Sequence, residues 1–458
     1  MRAVLTSEQM KAVDASAAEP VEVLIARAGW AVARAALALL GGAYGRRVIV
    51  VAGKGNNGAD GRAAASVLGS RGVRVEVIPA ASLPARLAAS DLVIDAAYGT
   101  GFRGHYSPPD PNGAPVLAVD IPSGFGGDTG VADDVATAVN AAATVTFAAY
   151  KPGLLLGDGP SHTGAVEVAD IGLDEGVQRR VTTWLVEDSD VARWLPARPR
   201  QSHKWQTAMA VAAGSPGMMG APHLVSRAAM RAGAGYVRLG VPGAGLESIP
   251  EGEAVGVALP PVDWDGGLLE AAARCRVVVI GPGLGGADTH RPPLLRVLAH
   301  AQVPVVVDAD GINALESAAT LRHAVAGRSS PVVITPHEGE YARLFGAPPG
   351  PDRLAVVRQA AADTGAVVLL KGSTTVVAAP DGRALLAASG SPRLATAGTG
   401  DVLSGVIGAF VARGVPPFEA AGLAAHVHGR AAALGFAEGL VAGDLPDLVA
   451  GWLSGLAR

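Results

Sequence analysis

Short runs of Val, Ile, Leu and Ala recur along the chain, separated by longer Ala-rich stretches with polar residues at helical spacing. Residues 47–52, 73–78, 92–95, 116–120 and 143–147 form a first series of runs, and 209–213, 277–280, 303–308, 332–335 and 367–371 a second. Read as continuous apolar segments rather than alternating ones, the runs predict strands of a parallel sheet buried on both faces. Residues 7–40 predict helices ahead of the first strand. Helices are expected over 223–233 and 352–364, and two more, over about 401–413 and 417–435, close the second series. Alternation of strand and helix in this order predicts an α/β protein.

The pattern breaks between about 173 and 203, where Glu187-Asp188-Ser189-Asp190 and the Pro-rich Pro196-Ala197-Arg198-Pro199-Arg200 replace apolar runs. Such composition marks a linker or domain edge. The expected organisation is therefore a first domain over 1–175, a linker or edge over 176–200, and a second domain over 201–458. A length of 458 residues suits two or three domains with large cores.

Composition narrows the function classes. With 37 basic against 41 acidic residues the net charge is −4, so no basic excess favours nucleic acid, and 4% aromatic residues offer few stacking platforms. The single cysteine, Cys275, excludes a disulfide framework and a Cys-based zinc site, and its setting before an apolar run reads as structural. The charge-free stretches near 135–150 and 205–226 contain Gly, Pro, Ser, Thr or Asn, so neither reads as a membrane span. The first ten residues lack the apolar core of a secretory signal, which makes the cytoplasm the expected compartment. Lysine occurs only at 11, 54, 151, 204 and 371, so each lysine inside a motif can be weighed individually.

In the first half, Gly53-Lys54-Gly55-Asn56-Asn57-Gly58-Ala59-Asp60-Gly61 directly follows a strand. Its glycines permit close backbone approach to a ligand, and a helix start there can hold phosphate. Two more strand ends carry polar residues: Asp95-Ala96-Ala97-Tyr98-Gly99-Thr100-Gly101 and Asp120-Ile121-Pro122-Ser123-Gly124. Ligands of open α/β sheets sit beyond the carboxyl ends of strands, so Asn57, Asp95, Asp120 and Ser123 should converge. Oxygen donors at Asn57, Asp95 and Ser123 suit a hard cation, and Asp120 is the natural group for proton transfer. Lys54 and Lys151, the latter in Thr146-Phe147-Ala148-Ala149-Tyr150-Lys151-Pro152-Gly153, would either meet phosphates or be solvated.

Together these motifs resemble the NAD(P)H-hydrate epimerase family, the YjeF N-terminal domain, over about residues 1–175. The resemblance implies a Rossmann-like three-layer sandwich with K⁺ at Asn57, Asp95 and Ser123. It places a hydrated nicotinamide nucleotide (NADHX or NADPHX) along Asn56, Asn57, Gly58, Ala59 and Asp60, along Gly99, Thr100, Gly101, Phe102, Arg103, Gly104 and His105, and at Asp120. Ala59 stands where that family usually has Gly, and the segment 106–114 is short and Pro-rich.

In the second half, Ala397-Gly398-Thr399-Gly400-Asp401 precedes an apolar helix, so its glycines can free backbone N–H groups for an anion. Lys371-Gly372-Ser373-Thr374-Thr375 ends a strand with a cation and small hydroxyls. Both features resemble the ribokinase-like superfamily, which implies Asp401 as a base on a substrate hydroxyl. Gly214-Ser215-Pro216-Gly217-Met218-Met219-Gly220-Ala221, Gly281-Pro282-Gly283-Leu284-Gly285 and Thr335-Pro336-His337-Glu338-Gly339-Glu340 each follow a strand. This set is similar to the ADP/ATP-dependent NAD(P)H-hydrate dehydratase family, the YjeF C-terminal domain, over about 190–458. It implies a ribokinase-like α/β domain, substrate contacts at Ala221, Gly283, His337 and Asp401, and nucleotide contacts at Lys371, Gly372, Ser373, Thr374, Thr375 and Gly400. Departures from the family are His203-Lys204-Trp205-Gln206 at the entry and Pro222 after Ala221.

The two resemblances imply a bifunctional enzyme. One domain would epimerise NAD(P)HX. The other would dehydrate the S epimer to NAD(P)H, with ADP, or ATP, as phosphoryl donor and Mg²⁺ as its metal; ADP use would release AMP and phosphate. The expected partners are small molecules, with neither nucleic acid nor membrane, and assembly into a homo-oligomer is left open. Two other readings stay in play: a small-molecule kinase of ribokinase type, and a catalytically silent ligand-binding N-terminal half.

Overall fold

A computed structural model describes residues 1–135, 137–249 and 252–456. The chain divides into two compact units, Arg2–Trp184 and Leu185–Arg458 with Met1. The segment expected to link the domains, 176–200, is largely regular: it holds the end of a helix over Asp174–Arg180, a strand over Thr183–Leu185 and a helix over Asp188–Trp194.

The N-terminal unit is built on strands β1 (Arg47–Ala52), β2 (Arg74–Pro79), β3 (Leu92–Ala96), β4 (Val116–Val119), β5 (Ala143–Phe147) and β6 (Ala165–Ala169), ordered β2-β1-β3-β4-β5-β6. Every neighbouring pair is parallel. The order reverses between β1 and β3, where such sheets open a crevice for ligands. Strands β1, β3 and β4 are buried almost throughout, as continuous apolar runs require. The run expected over 73–78 as a strand buried on both faces is instead the edge strand β2, with Val77 41% exposed. Its interleaved Arg74 and Glu76 are the residue types an edge tolerates.

One face of this sheet is covered by helices α1 (Ser7–Ala15), α2 (Val21–Leu40) and α3 (Asn56–Ser70), which share the larger core. Helix α2 is long and apolar enough to cross a membrane by length and composition. Within the unit it packs as a core helix: Ala28, Val32, Ala36 and Leu40 are buried, and a Cβ on Gly29 would fall 2.4 Å from Ala63 Cβ of α3. The opposite face carries a smaller cluster of Ile49, Val51, Leu87, Val93, Ala97, Ala114, Val116 and Val139, to which no described helix contributes. The third layer there is loop, because 97–115 is short and rich in Gly and Pro.

In the C-terminal unit the strands are β7 (Ala208–Ala212), β8 (Tyr236–Gly240), β9 (Val255–Val257), β10 (Val278–Ile280), β11 (Val305–Val307), β12 (Val332–Ile334), β13 (Val367–Leu370), β14 (Thr375–Ala378) and β15 (Ala384–Ala387). They run in the order β15-β14-β13-β12-β11-β10-β7-β8-β9, antiparallel at β13–β14 and β14–β15 and parallel elsewhere. The strand order reverses between β7 and β10. Helices α4 (Gly220–Arg231), α5 (Glu338–Phe345), α6 (Thr399–Ala412) and α7 (Pro417–Leu434) position the residues discussed below. Helix α6 is buried nearly throughout and lies close to α4, where a Cβ on Gly405 would fall 2.3 Å from Val225 O.

Candidate active sites

A cavity of about 990 Å³ opens at the strand ends of the N-terminal unit. Its lining includes Asn56, Asn57, Asp60, Gly99, Thr100, Gly101, Phe102, Arg103 and Asp120 of the expected residues, with Lys54 beside them. Gly58 and Ala59 lie outside it, in the first turn of α3. Gly58 is where helix and strand meet most closely, since a Cβ there would fall 2.0 Å from Gly53 O. Gly104 and His105 also lie outside; His105 faces Asp133 at 3.6 Å and Ser107 at 3.0 Å. A Cβ on Gly99 would lie 3.0 Å from Asp120 Oδ2 and 3.5 Å from Asn57 Cβ, so only glycine lets these two side chains approach across that turn.

Asp120 follows β4 with a left-handed backbone (φ 68°), a conformation Asp tolerates at a cost of about 1 kcal/mol or more. Its Oδ1 pairs with Lys151 Nζ at 2.9 Å and accepts from Thr146 Oγ1 at 3.2 Å, while Oδ2 accepts from Thr100 N at 3.3 Å. Burial opposes its charge, but Lys151 and these donors outweigh burial and hold the carboxyl below its ordinary value. Lys151 is only 2% exposed and also donates to Thr146 Oγ1, Phe147 O and Ala149 O. It is therefore neither a solvated lysine nor a free phosphate ligand, as the motif alone suggested, but the fixed counter-ion of Asp120.

Asp95 and Ser123 are brought together: Ser123 N donates to Asp95 Oδ2 at 2.8 Å and Ala97 N to Oδ1 at 3.4 Å. Burial pushes the Asp95 carboxyl up to about 6 against these donors. Ser123 Oγ accepts from Tyr98 N at 2.9 Å and donates to Tyr98 O at 3.1 Å. Asn57 is different: both its side-chain Oδ1 and Nδ2 are buried without a partner. An orphaned buried amide costs about 1–3 kcal/mol, and a water, an ion or a ligand would satisfy it.

In the C-terminal unit, Gly214 after β7 and Gly283 after β10 meet the first turn of α4. A Cβ on Gly283 would fall 2.8 Å from Ala221 Cβ and 3.5 Å from Gly214 Cα, so Gly283 and Ala221 form one shallow surface. Pro222 fits the first turn of α4, where a missing N–H is harmless, and packs on Gly214. Asp401 lies in the first turn of α6 behind Gly398 (φ 89°). Among the described residues it makes no ion pair or hydrogen bond through its side chain. Burial first, and then the charge of Asp308, push its carboxyl up to about 7.

Lys371 holds Asp308 Oδ1 at 2.7 Å, and Ser404 Oγ donates to the other oxygen at 2.6 Å. A Cβ on Gly400 would fall 3.2 Å from Lys371 Nζ, so the ammonium lies directly against the start of α6. Gly372 and Ser373 are exposed at the turn between β13 and β14, whereas Thr374 and Thr375 are buried. His337 caps α5: its Nδ1 accepts from Gly339 N at 2.9 Å and Glu340 N at 3.3 Å, and its ring is 55% exposed. With Nδ1 accepting, the neutral ring carries its proton on Nε2.

Sequence reasoning missed Asp14, which lines the N-terminal cavity, and Asp308, Asp310 and Glu340, whose charges act on Asp401. Asp310 Oδ2 accepts from Gly285 N at 2.8 Å and fixes the glycine turn after β10. The sequence signal was Asp308-Ala309-Asp310-Gly311 at the end of the expected strand 303–308; the structure adds a positive φ at Ala309 (50°), the mark of a constrained turn.

The sequence profile of the NAD(P)H-hydrate dehydratase family matches residues 209–453, and that of the YjeF-related protein N-terminus matches 21–87 and 78–153. Among curated proteins, the bifunctional NAD(P)H-hydrate repair enzyme Nnr of Salinibacter ruber is 35% identical, covering 97% of this chain and 95% of its own. The enzyme of the same description from Mycobacterium tuberculosis is 39% identical over 92% of this chain and 91% of its own. Among solved structures, the ADP/ATP-dependent NAD(P)H-hydrate dehydratase of Bacillus subtilis, co-crystallised with ATP and Mg²⁺, covers 59% of this chain and 98% of its own, with TM-score 0.51 and 29% identity. A ribokinase-like superfamily protein of Enterococcus faecalis covers 60% and 97%, with TM-score 0.52 and 23% identity, and shares the fold.

Proposed function

Because the chain belongs to the family of bifunctional NAD(P)H-hydrate repair enzymes, we propose that its two units act in turn on hydrated NADH or NADPH. The N-terminal unit interconverts the epimers at C6 of the ring, and the C-terminal unit dehydrates the S epimer with ADP or ATP as phosphoryl donor. The observation that carries this reading is Asp401, an unpaired carboxyl raised to about 7 at the start of a buried helix, with Lys371 beside Gly400.

A ring hydroxyl is a poor leaving group, and its phosphate ester is a good one. Asp401 takes the hydroxyl proton as the oxygen attacks the terminal phosphoryl group. Backbone N–H groups at the start of α6, reinforced by Lys371, hold the charge that develops there. Loss of phosphate and of the C5 proton, driven by the lone pair on N1, then restores the C5=C6 double bond. The Gly283–Ala221 surface admits the flat ring edge, the exposed His337 ring, whose Nε2 lies 3.5 Å from Glu340 Oε1, borders the substrate, and the 371–375 hairpin faces the nucleotide. Mg²⁺ is expected to enter on the nucleotide's phosphates, since no cluster of three metal-binding side chains occurs among the described residues.

In the N-terminal unit Asp120 is the base, held ionised by Lys151. K⁺ fits Asn57, Asp95 and Ser123: Asn57 Oδ1 lacks a partner, and Asp95 is a buried carboxylate that a cation would favour. When bound, K⁺ supplies a fixed positive charge for the substrate's phosphates. The test is incubation of the purified protein with both NADHX epimers and ADP or ATP, following NADH absorbance. Both epimers should be consumed with nucleotide, and should only interconvert without it. A stable phosphorylated product with no NADH would instead mean a small-molecule kinase.

A further inference from the structure

The N-terminal cavity holds more carboxyl groups than the reading above uses. Asp14 of α1, Asp60 of α3 and Asp120 after β4 all line it, together with Lys151. Glu19, Lys54 and Arg103 are the other charged groups in the lining. Lys151 gives its charge to Asp120. Asp60 is 8% exposed, faces the cavity, and makes no hydrogen bond or ion pair through its side chain among the described residues. Lys151 is committed to Asp120, so Asp60, buried beside that pair with no counter-ion of its own, keeps its proton.

We propose that Asp60 is the general acid of the epimerisation, working opposite Asp120 as base. The proposal deepens the epimerase reading and rests on it. Burial, then the charges of Asp120 and Asp14, raise the Asp60 carboxyl to about 8, so that near pH 7 one cavity offers a carboxylate and a carboxylic acid. The reacting carbon, C6, carries a hydroxyl and is bonded to N1. Asp120 removes the hydroxyl proton, C6=O forms, the C6–N1 bond breaks, and N1 takes the proton of Asp60. Rotation about C5–C6 turns the other face of the aldehyde toward N1. N1 then adds to C6, returning its proton to Asp60, while the new alkoxide takes the proton back from Asp120. Nothing is oxidised, and no atom is gained or lost.

The test measures interconversion of separated NADHX epimers by the full-length protein without nucleotide, at fixed K⁺. Asp60→Asn should slow interconversion about 100-fold, with the half-saturating substrate concentration within about threefold of wild type. Wild type should lose rate as pH rises through about 8, and the variant should lack that alkaline limb. Asp60→Glu, which keeps a carboxylic acid, should recover part of the rate. ADP-dependent dehydration of the S epimer by the same preparations reports folding of the chain, and the thermal melt reports the N-terminal unit. Wild-type interconversion in Asp60→Asn overturns the proposal, and so does a loss confined to KM or a wild-type profile flat above pH 8. If the wild-type protein fails to interconvert the epimers at all, the epimerase reading itself falls.

Discussion

Both units set a lysine among carboxylates at the strand ends, fully buried at 151 and partly exposed at 371, but they wire it differently. Lys151 pairs with Asp120, the group that would act as base, and depresses its pKa. Lys371 pairs with Asp308, a neighbour, and leaves Asp401 unpaired and raised to about 7. The difference separates a carboxylate that stays ionised across the physiological range from one poised to give and take a proton within it. The two lysines also stand differently: one is paired with the proposed base itself, the other lies against the helix start where the proposed mechanism develops phosphoryl charge.

The largest expected effect is at the unpaired carboxyl. Asp401→Asn should lower ADP-dependent NADH formation by about 1,000-fold or more and leave epimer interconversion intact; an unchanged dehydration rate would refute its role as base. Next comes the paired site. Lys151→Met leaves Asp120 buried without its counter-ion and should destabilise the N-terminal unit by about 3–5 kcal/mol in urea unfolding; a loss below about 1 kcal/mol would mean that the pair is dispensable. The pH profiles should then differ. Dehydration should fall about tenfold per unit below about pH 7 as Asp401 gains its proton, while epimerisation stays level there because Asp120 remains ionised.

The last effect, smallest when read per pH unit, is on stability. Asp60 binds its proton more tightly folded than unfolded, so N-terminal stability should decline as pH rises from 3.8 to about 8, by at most about 1.4 kcal/mol per unit. The full contribution is present below 3.8 and is lost above 8. Asp60→Asn should flatten that decline in melts taken across the range.

The motifs pointed to the strand ends and helix starts where the candidate residues lie, because strand-end Asp, Gly-rich turns and helix starts are local patterns. Asp120, Asp401, Asn57 and Gly283 all stand at such sites. His105 and Gly104 belonged to the same expected run, but the short loop turns His105 away toward Asp133. Strands 165–169, 236–240, 255–257, 375–378 and 384–387 were among those not anticipated; Ala384-Leu385-Leu386-Ala387 reads equally as helix until it pairs with Thr375–Ala378. For β2 the contrary signal was local: Arg74 and Glu76 interleave the apolar residues of a run expected to be doubly buried, as an edge strand allows.

Taken alone, the amino-acid order determined two α/β units, the strand ends that carry polar residues, and Asp120 and Asp401 as candidate proton carriers. Such features depend on neighbours within a few residues. Tertiary structure decided which carboxylate receives a lysine, which is left to keep its proton, and which amide stays without a partner. Coulomb interaction and desolvation act through space, between Lys151 and Asp120 or Lys371 and Asp308, at separations along the chain that no local pattern encodes.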